Sequence, residues 1–185
     1  MRVEIVEEAE GKEPVAVFPP EKNYLDLRAN PRDVEKIAEA RQYLPLRNFL
    51  ISVNGAESIF ATTGAATKSD SPATVSAGSA YEFASQATIV FAAPGFNWER
   101  KNYAGLASGL KELLERDTAD AVRAVLRISP CDFTAEDQRG FCLSIRLVAE
   151  GSSAQQAELR WGLGLARVQQ ALLFRSRALK QQIAG

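Results

Sequence analysis

Residues 153–182 restrict the possible fold more than any other segment, because their apolar residues recur at helical spacing. The pattern predicts one helix of close to thirty residues, about 45 Å long. One apolar strip contains Ala157, Trp161, Leu165, Val168, Leu172 and Leu179, and a second, on roughly the opposite side, contains Leu159, Leu163, Ala166, Leu173 and Phe174. A helix that is apolar on two sides has to be covered on both. We expect a sheet to cover one strip and a further element or another subunit to cover the other.

Length and composition indicate a single α+β domain that spans residues 1–185. The 185 residues are 46% hydrophobic and 24% charged, which is ordinary for a globular protein with one core. No apolar run is long enough to cross a membrane, and the acidic start of the chain lacks the apolar core of a signal peptide. The net charge of −1 disfavours general nucleic-acid binding. These features predict a cytoplasmic protein with no membrane insertion and no nucleic-acid partner.

The N-terminal half predicts a hairpin, a helix and a second hairpin. Apolar and polar residues alternate within residues 1–20 on both sides of a polar turn, which is typical of an N-terminal hairpin. A helix is expected from Pro31 to about Tyr43, since an asparagine before a proline favours a helix start. Two apolar runs, 47–53 and 58–63, flank an Asn-Gly pair. That pair favours a tight hairpin turn, so both runs are predicted to be strands.

The chain between residue 61 and the last helix predicts three further strands and a second helix. Residues 61–80 are rich in Ala, Ser, Thr and Gly, which is compatible with two extended arms or with a flexible loop. Strands are expected at 81–92, 121–128 and 141–149, and a helix at 98–116 with Asn97 as its N-cap. Short connections favour a mainly antiparallel sheet, with at least one helix packed on one of its faces.

The chain contains no recognisable set of catalytic residues. There is no histidine, which excludes His-based triads, HExxH sites and His-ligated zinc. Cys131 and Cys142 do not form a CxxC motif. We expect Cys131 in a loop and Cys142 on the outer face of a strand, with both thiols reduced. No nucleophile can be named, so we predict no catalytic residue, no metal, no cofactor and no enzymatic activity.

Two groups of residues are candidates for ligand binding. Arg123, Arg127 and Arg146 are expected on the outward face of two late strands, within reach of one another. Such a cluster can hold a carboxylate or a phosphate, and the alternative is local pairing with nearby acids. Trp98 and Arg100 lie at a helix start, where an aromatic ring beside bases can bind an anion or a stacked ring. The alternative there is that Trp98 anchors the core.

The final helix is the candidate surface for a protein partner. The residues predicted to bind that partner are Trp161, Leu165, Val168 and Leu172, together with the basic residues Arg167 and Arg175. Residues 150–185 carry a net charge of +3, whereas residues 1–40 carry −4. These opposite charges can pair within one chain or between two, or they can face solvent separately. The predicted partner is a second copy of the chain or another subunit.

The predicted order of elements from residue 31 onward is helix, three strands, helix, two strands, helix. This order resembles that of the small chaperones of type III secretion systems, with no shared motif residue. The resemblance implies an acidic α+β homodimer that holds a protein segment against its sheet and helices. The N-terminal hairpin, the Ala/Ser/Thr arm and the basic last helix depart from that layout.

We therefore expect a non-catalytic protein-binding protein, either a chaperone-like homodimer or a subunit of a larger assembly. The alternative is a small-molecule binding protein or enzyme that takes anionic ligands on the arginine-lined sheet face. A large apolar patch on the last helix would favour the first function. A deep pocket lined by the arginines would favour the second.

Overall fold

Six strands of the described chain form one sheet that is mainly antiparallel. The computed structural model describes residues 1–8, 14–17, 24–70, 81–116 and 121–184. The strands are β1 (Arg2–Glu7), β2 (Val15–Val17), β3 (Phe60–Asp70), β4 (Tyr81–Phe91), β5 (Val122–Phe133) and β6 (Gln138–Gly151). Five follow the order β1-β5-β6-β4-β3, and β2 pairs with β5 beyond the end of β1. The β3–β4, β4–β6 and β5–β6 pairs are antiparallel, whereas β1 and β2 run parallel to β5.

Helices pack on one face of this sheet and enclose the main core. The α-helices are α1 (Ala38–Gln42), α2 (Leu44–Asn54), α3 (Arg100–Glu115) and α4 (Ala154–Ala184). Helix α4 lies against β4 and β6 and contacts both α2 and α3. The sheet contributes alternate residues to the core, among them Phe83, Ala87, Ile89, Leu126, Ile128, Leu143, Ile145 and Leu147. The predicted α+β class, with a mainly antiparallel sheet and a long C-terminal helix, is confirmed.

Trp161 lies at the centre of the core and fits a gap in β4. Its indole N–H donates to the hydroxyl oxygen of Ser85, at 2.7 Å. Its ring packs against Phe83, with the ring centroids 4.5 Å apart. A small serine on the inner face of β4 therefore leaves room for the indole and also satisfies its one polar atom.

The expected N-terminal hairpin does not form. Strands β1 and β2 pair with β5 and not with each other, in parallel register that sets Arg2 beside Arg123 and Val15 beside Cys131. The expected turn between them lies outside the described residues. Alternation of apolar residues predicts a strand but is the same for both pairing directions, so it gave no signal for this arrangement.

The segment expected as the first strand of the second hairpin is helix α2. Its buried residues Leu46, Phe49, Leu50 and Val53 follow the i, i+3, i+4, i+7 spacing of a helix. Pro45 lies in the first turn, where the missing N–H of proline costs no hydrogen bond. The side chain of Asn54 does not form a hairpin turn. It donates to Thr62 Oγ1 at 2.8 Å and accepts the Thr62 N–H at 2.9 Å, which joins the end of α2 to β3.

The structure differs from the local predictions for two helices and decides the state of part of the Ala/Ser/Thr arm. The helix expected at 31–43 is divided into a 3-10 helix, Pro31–Lys36, and the short α1. Asn97 does not cap α3, because its side chain pairs with the backbone of Phe91 in both directions, at 2.8 and 2.9 Å. The first half of the Ala/Ser/Thr arm is strand β3, which pairs with β4. The rest of the arm, 71–80, lies outside the described residues.

Strands β5 and β6 extend beyond the expected late hairpin, and this extension brings the two cysteines together. In the register of these strands Cys131 faces Gly140 and Cys142 faces Ser129, so the cysteines are diagonal neighbours on one face. Their Cα atoms are 6.2 Å apart and their sulfur atoms form a disulfide. The prediction of a loop cysteine and two reduced thiols is wrong, because residues 130–133 continue the strand.

Candidate functional site

The three predicted arginines share the outward face of the sheet. Arg146 on β6 faces Val125 on β5, which places it diagonally between Arg123 and Arg127. All three arginines are exposed. Arg127 forms an ion pair with Glu8, with a nitrogen–oxygen distance of 2.9 Å. The structure therefore brings the three residues onto one face, and local pairing already engages one of them.

Trp98 and Arg100 are held by contacts that tie the start of α3 to the sheet. Trp98 packs edge-on against Phe133, with ring centroids 5.0 Å apart, in a small second core at the end of β5. Arg100 forms an ion pair with Glu7 at 2.9 Å and donates to the carbonyl oxygen of Glu8 at 3.3 Å. The two side chains therefore anchor α3 in separate places and do not converge on a shared site.

The apolar strip that was expected to bind a partner lies inside the protomer. Trp161, Val168 and Leu172 have no exposed surface, and Leu165 is 4% exposed. These side chains pack in the main core between α4 and the sheet, so they are not available to another chain. A partner of α4 therefore has to contact the opposite side of the helix. Arg167 lies beside the groove between α3 and α4, away from this buried strip.

The opposite side of α4 carries an exposed apolar strip. We define the outer strip as Leu159, Leu163, Ala166, Gln170, Leu173 and Phe174. Leu159, Leu163 and Phe174 are 65%, 59% and 58% exposed. The first five residues of the strip are spaced by 4, 3, 4 and 3 positions, the repeat by which two helices pack along a seam. The surface therefore has the pattern of a helix that lacks a partner helix.

Helix α2 packs against α4 and carries an exposed apolar side chain of its own. Leu44, its first residue, is 61% exposed. The next residue, Pro45, lies close to α4, since a Cβ atom at Gly162 would be 3.0 Å from the Pro45 Cγ. The absence of a side chain at Gly162 thus lets α2 approach α4.

A cavity of about 340 Å³ lies between α3, α4 and the end of β4. Its apolar lining includes Ile59, Phe91, Phe96, Leu106 and Leu179, and its polar side chains are Lys101, Asn102 and Arg175. Lys101 is exposed and forms an ion pair with Glu99. The sequence did not predict this site, because its residues come from four separate segments. Gly105 and Gly109, one turn apart on α3, are the one local sequence signal that another element packs closely against this helix.

Two glycines of α3 shape the wall of the cavity. A Cβ atom at Gly109 would lie 2.7 Å from the Arg175 Cζ, so the guanidinium packs on bare helix backbone. A Cβ atom at Gly105 would have no neighbour within 4 Å, which means that this position opens on the cavity. The Nε atom of Arg175 is buried and has no hydrogen-bond partner among the described residues. The cavity therefore combines an apolar lining with a cationic group whose Nε is unpaired.

Tyr103 fixes the aromatic wall of the cavity. Its hydroxyl donates to Asn97 Oδ1 at 2.5 Å, and its ring packs edge-on against Phe91 with centroids 5.1 Å apart. Burial raises the pKa of the Tyr103 hydroxyl well above its usual value. The hydroxyl therefore stays protonated near neutral pH and holds Phe91 through Asn97.

Neither a metal cluster nor a membrane span is found in the described part of the chain. No three His, Cys, Asp or Glu side chains within those ranges are grouped closely enough to hold a metal ion. No helix there combines the length and the apolar character needed to cross a bilayer.

Comparison with known protein families, with characterised proteins and with solved structures finds no match to this chain. The similarity to type III secretion chaperones therefore rests on element order alone. That order is also altered, because α2 occupies the place of the first of the three strands. The exposed surface and the cavity of the molecule are therefore the features that indicate its function.

Proposed function

We propose that this protein is a non-catalytic protein-binding protein that pairs with a second copy of itself through the outer strip of α4. The observation that carries the proposal is the exposure of Leu159, Leu163 and Phe174 on a helix of 31 residues. Connected apolar patches on a protein surface commonly mark interaction sites. A chaperone-like homodimer, or a subunit of a larger assembly, is the role that this surface supports.

Burial of the outer strip supplies the driving force for association. Covering a large apolar side chain is worth about 1.5 to 3 kcal/mol when the side chain starts fully exposed. Leu159, Leu163 and Phe174 are each more than half exposed, so burying them in an interface can still release most of this free energy. A contact between two outer strips buries these side chains in both copies, so both copies contribute to the free energy of association.

The layout of the strip favours an antiparallel pair. Leu163 lies toward one end and Leu173 toward the other, with small Ala166 and polar Gln170 between them. If two copies run in opposite directions about a point near residue 168, Leu163 of one faces Leu173 of the other. Ala166 then faces Gln170, so a small residue meets a longer one. A two-fold axis makes such a surface complementary to itself.

The basic residues of α4 do not oppose this pairing, because three of the five are held away from the outer strip. Arg160 donates to the carbonyl oxygen of Glu150 at 2.7 Å, and Lys180 donates to the carbonyl oxygen of Ala56 at 3.1 Å. Arg175 lines the cavity. The contact is therefore mainly apolar, and we expect salt to affect it little.

Two other expectations from the sequence have less support than the self-pairing of α4. Anion binding on the arginine-lined sheet face competes with the ion pair between Arg127 and Glu8. A cytoplasmic location conflicts with the Cys131–Cys142 disulfide, because structural disulfides are rare in reducing compartments. The proposal therefore rests on α4 and on neither of these features.

Sedimentation velocity of the purified full chain tests the proposal. We expect a dimer at micromolar concentration, at low and at high salt. Leu163→Glu places a charge within the paired strip and should give a monomer. Ser108→Glu, at an exposed position of α3, is the matched control and should remain a dimer. A monomeric wild-type protein, or a Leu163→Glu variant that stays dimeric, would contradict the proposal.

A further inference from the structure

We infer that the cavity between α3, α4 and the end of β4 binds a small amphipathic organic anion, namely a monocarboxylate with an alkyl chain or an aromatic ring. The carboxylate lies on Arg175 and the apolar part lies against the lining of the cavity. This inference is independent of self-association, because Arg175 does not belong to the outer strip.

The size and lining of the cavity suit the apolar part of such a ligand. The volume of about 340 Å³ is within the range of small-molecule sites. Phe91, Phe96, Leu106 and Leu179 provide aromatic and aliphatic walls. The ring of Phe91 is fixed by Phe60 and Tyr103, with centroid distances of 5.3 and 5.1 Å. The site is thus largely formed before any ligand enters.

The state of Arg175 points to an anion. Its Nε is buried without a hydrogen-bond partner among the described residues, and no carboxylate of those residues forms an ion pair with it. A guanidinium that lines an apolar cavity without an acidic partner among the described residues gains free energy when an anion enters. A carboxylate matches the two parallel N–H donors of a guanidinium.

A single negative charge fits the site better than a phosphate dianion. Among the described residues, Arg175 is the one cation of the lining without an acidic partner, because Lys101 is paired with Glu99 at the exposed rim. A second negative charge would therefore be left uncompensated beside apolar walls. One unpaired cation in the site therefore matches a ligand with one negative charge, such as a monocarboxylate.

The two glycines of α3 make room for this ligand. Gly109 lets the Arg175 guanidinium pack close to the helix backbone, and Gly105 keeps the adjacent wall free of a side chain. The Cβ atom of a leucine at position 105 would have no neighbour within 4 Å, so the fold can accommodate this residue. The rest of the leucine side chain would fill the cavity.

Calorimetric titration with sodium octanoate tests the inference, with 1-octanol as the uncharged probe of the same chain length. We expect the wild-type protein to bind octanoate more tightly than octanol. Arg175→Met keeps an apolar stem and removes the charge, so it should weaken octanoate binding about tenfold or more and leave octanol binding unchanged. Gly105→Leu should abolish binding of both probes.

Circular dichroism and sedimentation velocity on the same samples show that each variant is folded and has the wild-type mass. Absence of octanoate binding to the wild-type protein at millimolar concentration would overturn the inference. Equal octanoate affinity of the wild-type protein and a folded Arg175→Met variant would overturn it as well. Neither result bears on the self-association of α4, because the Leu163→Glu variant tests that property separately.

Discussion

The guanidinium of Arg175 on α4 occupies the space that a side chain at Gly109 on α3 would fill. A Cβ atom at position 109 would lie 2.7 Å from the Arg175 Cζ and 2.8 Å from its Nε. A charged group is thus packed against helix backbone, with its Nε buried and without a hydrogen-bond partner in the part of the chain that the structure describes. Stability and ligand binding at this place therefore depend on the same side chain.

Arg175→Met should make the ligand-free protein more stable. The substitution removes a buried Nε donor that has no partner among the described residues and keeps an apolar stem in its place, so we expect a gain of about 1 kcal/mol in the free energy of unfolding. The matched control is Arg160→Met on the same helix, which loses a hydrogen bond to the Glu150 carbonyl. Urea unfolding measures both. A loss of stability in Arg175→Met equal to that of the control would contradict this account.

Ser85→Ala should destabilise the protein by about 1 to 3 kcal/mol, because it leaves the buried Trp161 indole N–H without its acceptor. In a Trp161→Phe background the same serine substitution should cost much less, since the donor is absent. A double-mutant cycle by urea unfolding isolates the coupling between the two residues. Equal costs in both backgrounds would show that the 2.7 Å hydrogen bond contributes nothing.

Tyr103 should make the protein less stable in alkali. Burial raises the pKa of its hydroxyl in the folded protein. Above about pH 10 the unfolded chain releases the tyrosine proton while the folded protein keeps it, so the free energy of unfolding falls as the pH rises. The slope from one such group reaches about 1.4 kcal/mol per pH unit.

Tyr103→Phe should reduce that alkaline loss, although it removes the hydrogen bond to Asn97 at neutral pH. Part of the loss should remain, because burial also raises the pKa of Tyr24, to about 12. Urea unfolding at pH 8 and pH 11 compares the two proteins. An identical pH dependence would exclude Tyr103 as the cause.

The Cys131–Cys142 disulfide should be present in protein purified without reductant. Titration of thiols after unfolding should then detect none. Reduction should lower the free energy of unfolding by about 2 to 3 kcal/mol, because the bond closes a loop between residues 11 positions apart. Thermal unfolding with and without reductant measures this effect. Two free thiols in the untreated, unfolded chain would contradict the pairing.

The late strands and long helices were predictable because their apolar period extends over many residues, although residues 121–128 taken alone also allow a helix. Leu126 and Ile145, for example, face the core as alternation requires. The Asn54-Gly55 pair is a strong hairpin signal and predicts a strand where helix α2 lies, although Phe49, Leu50 and Val53 have helical spacing. The direction in which β1 and β2 pair is determined by the distant β5, and no local pattern encodes it.

The candidate sites were predictable only in part. Two apolar strips on α4 could be recognised from the sequence, but their roles depend on which one faces the sheet. The strip of Trp161 faces inward because Ser85 provides both space and an acceptor for the indole. The cavity could not be predicted, because Ile59, Phe91, Gly105 and Arg175 meet only in the folded chain.

Disulfide trapping between copies tests the central claim most directly. In the proposed antiparallel pair, positions 163 and 173 of opposite copies face each other, whereas the two copies of position 163 lie about 15 Å apart along the helix axis. Leu163→Cys and Leu173→Cys chains, prepared separately and then mixed under mild oxidation, should form a cross-linked dimer. Each variant alone should stay uncross-linked. Cross-linking of Leu163→Cys with itself, or none in the mixture, would contradict the account.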